Sequence, residues 1–278
     1  MKMTLSIALT LIFHLLGHAH PGGHYQKDPF RQLDEALPDP NEVRAANGAP
    51  GPEYWQQRAD YKISVVLDDE NQRLKGSETI TYTNNSPVDL TYLWVQLDQN
   101  RFEQQALGHQ AMEAPDFGDV GFRTLRNELA REGFEGGYRI KSVRDGSGNP
   151  LSHSIVDTMM RIQVPVAAGA TVGVAIDWEH NIVNAKAIRA RGGYEYFKED
   201  DNYIYTIAQW YPRVAAFTDV NGWQHKQFLG RGEFALEFGD YEVSLTVPGD
   251  HIVAATGTLQ NPGQVLTVVQ RERLQQAE

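Results

Sequence analysis

Cysteine is absent from the 278 residues. That excludes a disulfide scaffold, a thiolate zinc site and a thiol nucleophile, so the fold must hold by packing alone. None of the nine histidines falls in H-E-x-x-H, the helical pair that shares a zinc ion. No glycine run follows a strand and opens a helix as phosphate and dinucleotide loops require. "RARGGYEYF" and "FLGRGEF" lack that context, and "DGSGNP" reads as a hairpin turn rather than a nucleophile elbow. Positive charge is also scarce: 25 Lys and Arg stand against 36 Asp and Glu, a net charge of −11. Such a surface repels phosphate backbones, so a nucleic-acid partner is not expected.

Long apolar runs are missing except at the start. Lys2 precedes "LSIALTLIFHLL", and Gly17 and Ala19 follow it two apart. This is the layout of a signal peptide over residues 1–19. The run is shorter than the ~20 residues a bilayer needs and His14 interrupts it, so no membrane span is expected in the mature chain. Export to the periplasm or the extracellular space follows as the expectation. His14, His18, His20 and His24 crowd this end, but the first two lie in the signal segment. The others flank Pro21-Gly22-Gly23, which cannot hold helical geometry, so no metal site is expected there. Residues 20–52 are rich in Pro, Gly, Asp and Asn and read as an irregular arm. It carries one short candidate helix, "DPFRQLDEAL", capped by Asp28.

From residue 53 a period of two takes over. Tyr61, Ile63, Val65 and Leu67 share a face, as do Ile80 and Tyr82, and Leu93, Val95 and Leu97. Met160, Ile162 and Val164 repeat the pattern, then Val172, Val174, Ile176 and Trp178, then Tyr241, Val243, Leu245 and Val247. Alternation of this kind marks half-buried strands. Turn signals separate them, so a mainly β fold is expected: an antiparallel multi-stranded sandwich or saddle. Residues 99–137 break the rhythm and read as an insertion docked on the sheet or at its edge, with one helix in "FRTLRNELAREGF". Glu233, Glu237 and Glu242 read as a solvated strand face. Asn261 and Pro262 open a C-terminal helix, and the chain stops without a C-cap glycine, as though the helix continued.

One segment concentrates chemistry. "QWYPRVAAFTDVNGWQ", residues 209–224, holds two Trp, a Tyr, a Phe and an Arg. Its residues either fill a core or line a cleft with Gln209, Tyr211 and Arg213, a set suited to a peptide or carbohydrate ligand.

The stretches "ADYKISVVLDDENQRLKGSETITYTNNSP", "FTDVNGWQHKQF" and "FALEFGDYEVSLTVPGDHIVAATGTLQNP" resemble the N-terminal β-domain of gluzincin aminopeptidases, the zinc family of aminopeptidase N and leukotriene A-four hydrolase. With "YWQQRADY" and "GGYRIKSV" they are most similar to exported bacterial members. The resemblance spans residues 53–262. It implies a domain that walls a peptide-substrate cleft, with residues 263–278 leading toward a catalytic domain of the same polypeptide. Zinc would belong to that catalytic domain, none to this chain, which would be inert alone. The family's Gln-x-Glu substrate segment matches at Gln209. Tyr211 stands where the acid would be, which puts that acid contact in question. The rival expectation is an exported, non-catalytic β-module that binds peptides or glycans.

Overall fold

The computed structural model describes residues 40–111, 120–230 and 235–277. The signal segment, the four N-terminal histidines, the candidate helix at Asp28 and Glu233 lie outside them. The chain is mainly β and divides into two compact units at Thr246/Val247.

The first unit carries thirteen strands among the described residues. Five form one sheet: β1 (Arg58–Asp68), β2 (Arg73–Thr83), β4 (Arg139–Asp145), β7 (Thr171–Asn181) and β13 (Tyr241–Thr246). Their order is β13-β1-β2-β7-β4. A second sheet has the order β10-β3-β6-β5, built from β3 (Leu93–Gln96), β5 (His153–Val156), β6 (Met159–Ile162) and β10 (Arg213–Val214). Two hairpins complete the set: β8 (Gly193–Phe197) with β9 (Asn202–Thr206), and β11 (Phe217–Thr218) with β12 (Gly222–Trp223).

Alternation sets which faces meet. Tyr61, Ile63, Ile80, Tyr82, Ile176 and Trp178 from the first sheet share one core with Leu93, Val95, Met160 and Ile162 from the second. Each such burial contributes roughly 1.5–3 kcal/mol, and register follows because a one-residue slip would turn every apolar side chain outward. The long β1–β2 and β2–β7 ladders keep that register without interruption, from Arg58↔Thr83 to Asp68↔Arg73 and from Arg73↔Asn181 to Thr83↔Thr171. Trp178 sits opposite Gly76, and a β-carbon there would overlap the indole ring. The turns use side-chain caps: Asp145 Oδ1 accepts the Ser147 and Asn149 amides at 2.8 and 2.9 Å in "DGSGNP".

Several expectations change. β13 pairs parallel with β1 rather than antiparallel, and its alternating residues are not buried. Tyr241, Val243 and Leu245 are 48, 41 and 40 % exposed, since this is the edge strand and the main core lies under its neighbours. The insertion does form a helix, α2 (Phe122–Glu132), after a 3-10 turn at Asp98–Phe102 and a short α1 (Leu107–Gln110). Yet α2 buries no residue, and Phe122, Leu125 and Leu129 stay exposed. Glu237 is half-buried, not solvated: its Oε1 accepts the Phe217 amide at 2.6 Å.

The second unit holds two short helices, α3 (Pro262–Val265) and α4 (Val268–Ala277). Asn261 makes no side-chain cap, contrary to expectation, and Leu266 is extended. Thr267 restarts the helix instead. Its Oγ1 accepts the Gln270 amide at 3.3 Å, while Gln270 Oε1 accepts the Thr267 amide at 2.8 Å, a reciprocal capping box. No described helix is long and apolar enough to cross a membrane.

Candidate functional site

The chain leaves β9 at Thr206 and reaches β10 at Arg213 through an irregular stretch that turns on Gln209. Gln209 has φ +54°, a left-handed conformation that a β-carbon makes costly by roughly 1–2 kcal/mol. The surroundings hold it there. Gln99 Nε2, from the 3-10 turn, donates to the Gln209 carbonyl at 2.8 Å, and the Tyr138 hydroxyl donates to the same oxygen at 3.4 Å. The Gln209 side-chain amide, by contrast, is buried at Nε2 without an acceptor.

Gln209 lines a narrow, partly enclosed cleft of about 20 Å³ with Gln99, Phe102, His180, Arg191 and Thr206 around it. Such a space admits one water-sized group. His180 is buried against Trp178, with ring planes 17° apart. Its Nε2 faces the Trp210 carbonyl at 3.2 Å and its Nδ1 the Asn181 carbonyl at 3.1 Å. Burial holds its pKa below the usual range, so the neutral ring satisfies one carbonyl at a time. The glycine pair of "RARGGYEYF" has a structural task here. Gly193 sits at φ +153°, and a β-carbon on it would strike the Val183 carbonyl.

The other two residues singled out by sequence sit elsewhere. Tyr211 packs edge-on against Tyr61 and Tyr241 at centroid distances of 5.6 and 6.2 Å, and burial pushes its phenol well up. Arg213 is buried on β10, ion-paired through Nη2 with Asp98. Burial raises the Asp98 carboxyl, and the Arg213 cation offsets part of that. Gln209 therefore lines the cleft, Tyr211 belongs to a tyrosine cluster and Arg213 to a buried ion pair. Trp210, Phe217 and Trp223 pack against the core, so the aromatic segment is largely core with one polar residue at the cleft. Asp219, farther along it, takes a two-pronged bond from Arg44 at 2.5 and 2.9 Å, tying residues 40–52 to this segment.

Sequence reasoning missed Glu78. It is fully buried on β2, opposite Ile63 and Ile176, and neither carboxylate oxygen makes a hydrogen bond of normal geometry, the nearby Trp178 indole being the one donor that favours its charged form. Burial pushes its pKa well above the ordinary range. The signal was present: Glu78 is in phase with Leu74, Ile80 and Tyr82 on the inward face. The Gln57–Asn84 bond at 2.8 Å, inside the buried turn of "TNNSP", was missed as well.

Among the described residues no three His, Asp or Glu side chains cluster closely enough to hold a metal ion. The described residues offer no set of ligands that fits zinc.

No family model matches the chain, and no curated protein does. Solved structures give a faint likeness. An M1 zinc metallopeptidase from Deinococcus radiodurans is 11 % identical over 73 % of this chain and 34 % of its own, with a TM-score of 0.36. A mutant from the same organism, bound to a Tyr-Ser-Ala substrate, is 13 % identical over 74 % and 35 %, with a TM-score of 0.37. The chain thus spans about a third of the length of these proteins. A likeness this slight does not decide a function.

Proposed function

We propose that this chain is the substrate-walling β-domain of a zinc-dependent, aminopeptidase-type metallopeptidase. The sequence resemblance over residues 53–262 suggests the family, and the state of Gln209 is the observation that carries the reading. A non-glycine residue held in a left-handed conformation at the wall of a cleft, with its Nε2 buried and left without an acceptor, supports the reading. In this reading the Gln209 amide donates to a carbonyl of a peptide. Tyr211 and Arg213 support it from behind, by packing and by fixing the 3-10 turn that carries Gln99. Zinc and the catalytic groups belong to a catalytic domain of the same polypeptide. Export rests on the apolar N-terminal run alone.

The test is an NMR titration of the full chain with a short unblocked peptide. Shift changes are expected at Gln99, His180 and Gln209, and Gln209→Ala should weaken binding about tenfold with an unchanged melting temperature. Absence of any shift there would overturn the reading. Hydrolysis of aminopeptidase substrates by the same chain with added zinc would refute the placing of the chemistry on another domain.

A further inference from the structure

The five-stranded sheet has two edges, and they are built differently. β4 forms one edge with Arg139, Lys141, Arg144 and Asp145, and its register against β7 breaks between Ile140 and Ser142. Charge and a bulge both discourage pairing with another strand. β13 forms the other edge and carries neither device. Its register against β1 runs unbroken from Tyr61↔Tyr241 to Val66↔Thr246, and it holds no proline, glycine or lysine. Among the described residues it pairs with β1 alone.

Backbone geometry shows what this edge offers. The Asp240 carbonyl accepts the Tyr61 amide at 2.8 Å, and the Asp240 amide donates to Asp60 Oδ1 at 2.7 Å, so both groups point toward β1. Alternation then turns the amides and carbonyls of Tyr241, Val243 and Leu245 outward. Their side chains continue the buried row of Tyr61, Ile63 and Val65 one strand beyond the main core. An unguarded edge with an apolar row is a template for a further strand.

β13 is complementary to itself. Antiparallel pairing about a two-fold axis at Val243 sets Tyr241 against Leu245, Val243 against Val243 and Glu242 against Ser244. Each apolar residue then meets an apolar one on the core side, and the acid meets a hydroxyl rather than its own copy. The outward amides and carbonyls fall into hydrogen-bonded pairs in this register. A net charge of −11 opposes self-association, but the charges at this edge are matched: Lys62 pairs with Glu242 at 2.9 Å and Arg58 with Asp240 at 2.6 Å. We propose that two copies of this chain associate through β13, joining their sheets edge to edge. The two-fold contact consumes both open edges and closes, while the guarded β4 edge prevents growth into a fibre. No residue of β13 lines the cleft, so the dimer and the peptide reading stand or fall separately.

The experiment follows the full chain by sedimentation equilibrium and by amide hydrogen exchange across a range of concentrations. Mass should rise from monomer to dimer and no further. The Tyr241, Val243 and Leu245 amides should gain protection over the same range, while those of Glu242 and Ser244, directed to β1, stay protected throughout. Val243→Lys, at an exposed position, should raise the midpoint of association about tenfold and leave the melting temperature of the dilute chain unchanged. A chain that stays monomeric at every concentration overturns the proposal. So does a dimer that ignores Val243→Lys, or one that leaves these amides open. Protection of the same amides in the monomer would give the edge to another segment of this chain and overturn the dimer as well. Should Val243→Lys fail to fold, exchange in the parent still decides.

Discussion

At the scale of single residues, two inward positions of β2 are under opposite constraints. Gly76 leaves its place to the Trp178 indole, so any side chain must displace a large buried ring. Gly76→Ala should cost about 1–3 kcal/mol by overpacking, read as a lowered urea midpoint with little change in m-value. Two positions on, Glu78 occupies the same face with a buried carboxyl that makes no hydrogen bond of normal geometry, the Trp178 indole beside it offsetting little of the burial. Its proton is bound more tightly in the folded chain than in the unfolded one. The favourable contribution is complete below the ordinary carboxyl range and is lost as pH rises toward the folded value. Glu78→Leu should therefore raise stability at pH 7 by about 1–3 kcal/mol and flatten its fall with pH. A variant less stable than the parent at pH 7 would show that the carboxyl has a compensating partner. At the cleft, Gln209→Gly is the informative swap, since it relieves the left-handed strain while deleting the amide. It should preserve stability and still lose peptide binding.

At the scale of elements, the helical end of the chain is held by a local device. Thr267 and Gln270 satisfy each other's backbone amides at the start of α4, and no residue of that helix is buried. Helix content there depends on the cap rather than on packing. Thr267→Ala should destabilise α4 by about 1 kcal/mol and lower the helical circular dichroism of the whole chain, with the β signal intact. The 3-10 turn at Asp98–Phe102 plays the corresponding part at the cleft. It presents Gln99 to the Gln209 carbonyl, Asp98 to Arg213 and Phe102 to Val183 and Ile188. Arg213→Met would leave Asp98 buried and unpaired, a loss of about 3–5 kcal/mol in thermal or urea unfolding.

At the scale of the whole molecule, pH acts through more than one buried acid. Glu237 is pushed up to about 7 by burial, with the Phe217 amide pulling the other way. Its contribution to stability is present below about 4.5 and is lost as pH climbs through about 7. Stability measured from pH 5 to 8 should decline, and Glu237→Gln should remove part of the slope that Glu78→Leu leaves behind. A pH profile unchanged by both substitutions would contradict the burial seen here.

Periodicity made much of the architecture legible in advance. The alternation through Tyr61, Ile80, Met160 and Ile176 told which side of each strand faces the core, because a pleated strand has two faces and water selects between them. The helix at Phe122–Glu132 and the Asp145 turn were legible for similar local reasons. Local pattern could not say that β13 lies at an edge, parallel to β1, since exposure of Val243 and Leu245 depends on what other strands cover. It could not separate Gln209 from Tyr211 and Arg213, which share one segment but diverge into a cleft, a tyrosine cluster and an ion pair with distant Asp98. Faces follow from the neighbours in sequence. Sites follow from the neighbours in space, and only the tertiary fold supplies those.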